Sequence, residues 1–211
     1  MKLLKKVLLS VTAALSAVTI SVSSIGSYAS YTEHWFTTYP CYKQYPNSYD
    51  CWAQTIRSMY KYVYNTNISI EEIISKYVLI GRVVKNNPNF NYSSTTTPGD
   101  PAVVLQTFGY FFDDDYNITV EQKLSPNEII AQYSCNLPAF IGFGAPDMWH
   151  ACALVGYRSG ATSENVGRIY YMNPASGKIE KSPYLVYGDV HLYTDGDENQ
   201  AMTWNITYRL I

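Results

Sequence analysis

Apolar side chains recur at steps of three and four through Trp52, Ile56, Met59, Tyr60 and Val63, which predicts a helix buried along one face and starting at Cys51. A second helix is signalled by Ser69-Ile70-Glu71-Glu72, a capping box, with Ile70, Ile73, Ile74 and Tyr77 as its apolar face. Asp100 followed by Pro101 reads as an N-cap and first-turn proline, and Gly109 is expected to close that short helix. Ser125-Pro126-Asn127-Glu128 is another capping box, opening a helix over 129–133. Downstream the pattern changes. Short apolar runs cover 139–143 and 151–157, and segments 168–172 and 203–208 alternate or are rich in β-formers. Turn signals separate them at Gly144-Ala145-Pro146, Ser159-Gly160, Ala175-Ser176-Gly177 and Asp195-Gly196. Helices first and antiparallel strands second is an α+β arrangement.

Ahead of these elements stands a different kind of segment. Lys2, Lys5 and Lys6 precede an apolar and small-residue stretch over 7–22, and Ser27-Tyr28-Ala29 fits a small-x-small cleavage site. This is the pattern of a secretory signal peptide, with residues 1–29 removed and 30–211 left as one secreted domain. Ser10, Thr12, Ser16 and Thr19 interrupt the stretch and make it a poor membrane anchor. The formal net charge of −2 becomes −5 once the three leader lysines leave, which argues against a nucleic-acid binder. No later segment is long and apolar enough to span a bilayer.

The four cysteines, Cys41, Cys51, Cys135 and Cys152, form no C-x-x-C pair, so zinc and redox readings are weak. If Cys51 is a free nucleophile, at most one disulfide can form among Cys41, Cys135 and Cys152; Cys152, inside an apolar run, reads as a small buried hydrophobe. The twenty-one tyrosines read as surface and strand content.

The candidate chemistry begins at Cys51. A helix start offers unpaired N–H groups and the positive end of the dipole, and both favour a thiolate. His150 opens the apolar run Ala151-Cys152-Ala153-Leu154-Val155-Gly156-Tyr157 and is the candidate acid/base. Asn173, between a predicted strand and Pro174, is the candidate to orient the imidazole. Gln44 could donate an amide N–H to an oxyanion, beside the backbone N–H of Cys51. Asp50 is expected to cap the helix with its carboxylate turned to backbone N–H groups. His34 lies near the start of the mature chain, where order is scarce, and His191 lies in a turn-rich stretch.

In the order Gln44, Cys51-Trp52-Ala53, His150-Ala151 and Tyr171-Met172-Asn173-Pro174, the chain resembles a papain-like cysteine peptidase of the compact bacterial secreted type. It is similar to the staphopain group and to C39-like peptidases. The resemblance implies a papain-like two-lobe fold, with a helical lobe carrying Cys51 and a β lobe carrying His150 and Asn173. It also implies peptide-bond cleavage in the cleft between them. Many C39-like members carry Asp where Asn173 stands. Gln54 replaces a residue that is usually small, and Tyr45-Pro46-Asn47-Ser48-Tyr49-Asp50 replaces the glycine-rich approach of papain itself.

The expected activity is that of a secreted, monomeric thiol endopeptidase acting on a polypeptide substrate without metal or cofactor. Two alternatives stay open: another acyl transfer on the same residues, such as a cell-wall amidase or transpeptidase, and a non-catalytic papain-like binding or toxin-type module. Asp113-Asp114-Asp115 reads as a solvated loop. Asp195-Gly196-Asp197-Glu198-Asn199 lacks a calcium loop's glycine at position six (Gln200) and glutamate at position twelve (Ile206).

Overall fold

The computed structural model describes residues 31–145, 148–159, 166–184, 190–194 and 197–211. The expected signal peptide, the turns at Pro146, Gly160 and Asp195-Gly196, and the His191 side chain lie outside the described residues.

Among the described residues four helices lie between positions 51 and 134: α1 (Cys51–Tyr64), α2 (Ile70–Val84), α3 (Pro101–Phe112) and α4 (Pro126–Ser134). The caps act as their residue types dictate. Ser69 accepts from the Glu72 N–H, Asp100 from Ala102 and Val103, and Ser125 with Glu128 closes a full capping box. Gly109 does not end α3. Phe108 and Phe112 are both fully buried on one face, so packing carries the helix on to Phe112, and the Gly109 carbonyl accepts from the Asp113 N–H.

The strands are β1 (Glu33–Trp35), β2 (Ile118–Glu121), β3 (Ala139–Ala145), β4 (Met148–Ser159), β5 (Val166–Asn173), β6 (Lys178–Pro183), β7 (Val190–Thr194) and β8 (Asp197–Leu210). Their order is β2-β8-β3-β4-β5-β6, with β1 on β4 and β7 on β8, and every pairing is antiparallel. The fold is therefore α+β, but helices and strands are not cleanly sequential. β1 precedes α1, and β2 lies between α3 and α4. Strands of three and four residues carry no period of their own; they exist because an edge is there to be paired. β3 covers β4 only as far as Leu154, and β1 takes over beside Gly156, Tyr157 and Arg158. Gly156 permits this, because a Cβ there would meet the His34 carbonyl at 2.2 Å. His34 is thus an ordered strand residue, its ring stacked 4.8 Å from Tyr157.

β4 reads as a continuous apolar run because both its faces are buried. Ala151, Ala153 and Val155 join the core beneath the helices with Trp52, Ile56, Ile73 and Phe108, whereas Cys152 and Leu154 join Ile141, Phe143, Ile169 and Tyr171 on the opposite face. Tyrosine is a core residue here as much as a surface one: Tyr39, Tyr77, Tyr92, Tyr170, Tyr171, Tyr184 and Tyr208 are all buried. The Asp113-Asp114-Asp115 loop is exposed. Among the described residues no helix is long and apolar enough to cross a membrane.

Candidate active site

Cys51 is the first residue of α1, and the helix lies against β4. The Thr55 hydroxyl donates to the Ala151 carbonyl at 3.2 Å, which pins the first turn of the helix to the residue after His150. The backbone N–H groups of Ala151 and Trp52 lie near enough to the Cys51 sulfur to favour its charged form. The first helical turn and the start of β4 therefore meet at one thiol.

His150 is 6% exposed and pairs with Phe143 of β3. Ala153 stands opposite Met172, and that register continued by one residue puts Asn173 diagonal to His150. Their side chains meet, His150 Nε2 to Asn173 Oδ1, at 2.8 Å. Asn173 Oδ1 also accepts the Ala175 N–H at 3.0 Å, and Nδ2 donates to Glu180 Oε2 at 2.9 Å. A backbone N–H only donates and a carboxylate only accepts, so the amide has one orientation. His150 Nε2 must then carry the proton, and Nδ1 is left as the basic nitrogen.

The turn after Asn173 also holds the loop leading to Cys51. The Gln44 N–H donates to the Pro174 carbonyl at 2.8 Å. Gly177, at φ +68°, closes the turn so tightly against Lys43 that a Cβ would lie 2.7 Å from the lysine's own Cβ. Only glycine meets both demands. Gln44 Nε2 donates to the Ser48 carbonyl at 3.1 Å, which uses one of its two hydrogens, and Oε1 is buried without a partner among the described residues.

Asp50 does not cap α1. It holds the N-cap position with no side-chain hydrogen bond to the helix backbone; its carboxylate takes the Ser48 hydroxyl and Gln54 Nε2, the latter at 3.3 Å. Ser48, Asp50 and Gln54 are all buried. Gln54, too long for the usual small residue, thus serves as a donor to a carboxylate that lies next to the thiol.

Trp52 closes the other side. Its ring lies 4.5 Å from Tyr77 and edge-on to Tyr92 at 5.6 Å, and its Nε1–H donates to the Tyr92 hydroxyl, which in turn donates to the Tyr49 carbonyl. Tryptophan next to the thiol therefore braces the chain on the upstream side of Cys51.

Electrostatics run against the simple helix-start expectation. Burial pushes the Cys51 thiol up to about 11, outweighing the N–H groups of Ala151 and Trp52, and the Asp50 carboxylate adds to the rise. Burial holds the His150 imidazole below its usual value, against the opposing effect of its hydrogen bond to Asn173. Both shifts favour a neutral thiol and a neutral imidazole at rest. Charge separation then comes from moving one proton within the site, which leaves its net charge unchanged.

All four cysteines are free thiols, with Cys152 buried and Cys41 and Cys135 exposed. No group of three or more His, Cys, Asp or Glu is placed to hold a metal among the described residues. Sequence reading missed Glu180, Ser48 and Tyr92. Each touches the site across a register or a loop contact and carries no local motif.

No family model matches the sequence, and no curated protein matches it. Solved structures do. One, a proposed C39-like peptidase from Bacillus anthracis, superposes with a TM-score of 0.54 at 12% identity, covering 84% of this chain and 97% of that one. At that identity the likeness is one of fold.

Proposed function

We propose that this protein is a secreted, monomeric thiol endopeptidase, with residues 1–29 as its signal peptide and 30–211 as one papain-like domain. The observation that carries the reading is a junction of local structures: a thiol at a helix start seated against Ala151, the residue after His150, and an asparagine that fixes the proton on His150 Nε2. The fold shared with the Bacillus anthracis protein supports it.

In this mechanism His150 Nδ1 takes the Cys51 proton as the sulfur attacks the substrate carbonyl. The carbon–sulfur bond forms and the carbonyl electrons move to oxygen. That oxygen is met by the Cys51 backbone N–H and the second hydrogen on Gln44 Nε2. The imidazolium, steadied by Asn173, gives its proton to the leaving amine as the peptide bond breaks. Water, deprotonated by the same nitrogen, then hydrolyses the thioester and restores the thiol. Metal and cofactor have no part in this reaction.

A peptidase of this kind releases new peptide termini from denatured casein and leaves cell-wall fragments intact, as mass spectrometry of both digests would register. Products only from the wall fragments would instead establish the amidase or transpeptidase alternative.

One observation favours a non-catalytic module: Cys51 is only 5% exposed and its thiol is raised. The two readings part at pH 6. A peptidase's Cys51 peptide is alkylated by iodoacetamide about tenfold faster than free cysteine or more, because His150 accepts the proton. A rate no faster than that of free cysteine would favour the inert module.

A further inference from the structure

We infer that Glu180 is a positioning residue for the His150–Asn173 pair, because its carboxylate holds the far end of the Asn173 amide. The inference rests on the thiol-peptidase reading for its activity measurements.

An asparagine amide is nearly symmetric in shape, and its two ends have opposite consequences here. With Oδ1 toward His150, the imidazole carries its proton on Nε2 and keeps Nδ1 basic. With Nδ2 toward His150, the proton would have to sit on Nδ1, which could not then accept one from Cys51. Two contacts choose between these states. The Ala175 N–H donates to Oδ1, and Glu180 Oε2 accepts from Nδ2. A flipped amide would set donor against donor at Ala175 and acceptor against acceptor at Glu180.

The sheet delivers Glu180 to this position. Asn173 faces Lys178 and Tyr171 faces Glu180 across the β5–β6 hairpin, so Glu180 lies diagonal to Asn173. The carboxylate is itself held: the Ser176 hydroxyl donates to Oε1 and the Tyr171 hydroxyl to Oε2, the latter at 3.4 Å. No salt bridge to it is present among the described residues, so the Asn173 amide is not competing with a bound cation. Arg168, Lys181 and Glu33 line the shallow cavities beside Glu180, and Cys51, Cys152 and Asp50 are the titratable groups on the thiol side. Glu180 also sets a negative charge two hydrogen bonds from the imidazole. Its second role follows: it stabilises the imidazolium that forms when Cys51 gives up its proton.

The sign is fixed by that charge. Removing it disfavours the imidazolium, so the His150 pKa falls and the acid limb of kcat/KM moves to lower pH. In a Cys51→Ala background, NMR titration of His150 should drop by about half a unit to one unit on adding Glu180→Gln, since a half-exposed carboxylate acts through partly screened solvent. Glu180→Gln alone should lower kcat about tenfold with KM little changed. Asn173→Asp places a second carboxylate against Glu180 and should lose activity; Asn173→Asp with Glu180→Gln should recover about tenfold over Asn173→Asp alone, a coupling that a double-mutant cycle isolates. A purely structural Glu180 would lower the melting temperature, leave the His150 titration unmoved and give additive losses, and that result overturns the inference. Should the wild type show no Cys51-dependent hydrolysis, the peptidase reading falls, while the His150 titration still decides the role of Glu180.

Discussion

Cys51→Ala is expected to lower kcat/KM on a denatured protein substrate by about 10,000-fold or more, since every covalent step of the proposed reaction passes through that sulfur. The fold should survive. Cys51 is the first residue of α1, its side chain is small, and the contacts that seat the helix on β4 come from Trp52, Ala53, Thr55 and Ile56. Losing one buried sulfur costs about 1 kcal/mol, well inside the stability of a domain this size. The alanine variant should therefore unfold in denaturant with an unchanged slope and nearly unchanged midpoint. Wild-type activity in that variant would remove Cys51 from the mechanism and with it the proposed function.

Trp52→Ala is expected to damage stability and activity together. The indole is wholly buried, packs on Tyr77 and Tyr92, and lies so near Gly99 that a Cβ there would meet it at 2.6 Å. Truncating a buried tryptophan to alanine costs about 3–5 kcal/mol through lost transfer free energy and the cavity left behind. In a domain of this length that corresponds to a fall in Tm of about 10 °C, measurable by thermal unfolding. Activity should fall in the folded variant as well. The Tyr92 hydroxyl loses its indole donor, and that hydroxyl is what holds the Tyr49 carbonyl, two residues before Cys51. A variant that is destabilised yet fully active at low temperature would show that the Trp52–Tyr92–Tyr49 chain does not hold the site.

Much of the helical half was legible in the chain because its signals are local. Ser69, Asp100 and Ser125 each announce a helix start through a side chain that bonds within three residues. β4 was legible because burial on both faces leaves an unbroken apolar run. The failures have a common cause. β1, β2 and the polar β6 have no pattern of their own, and they are strands because neighbouring edges pair with them. Gly109 looked like a stop, but two phenylalanines packed beneath the helix outweighed one glycine. Asp50 looked like a cap, but burial turned it toward Ser48 and Gln54.

The candidate site divides in the same way. Residue type and local context were enough to nominate Cys51, His150 and Asn173, because a thiol before an apolar helix, a histidine before a buried strand and an Asn-Pro turn are each visible in a few letters; Gln44 was nominated by its place ahead of Cys51 and by the resemblance. Only the tertiary structure decided how they meet. Strand register put Asn173 diagonal to His150 and Glu180 diagonal to Asn173, and those two contacts, with the Ala175 N–H, fix which imidazole nitrogen is basic. Burial, which no single residue announces, turned the expected thiolate into a neutral thiol. Sequence alone names the groups that can exchange a proton. The direction of that exchange depends on hydrogen-bond partners and dielectric surroundings, and residues far apart in the chain supply both.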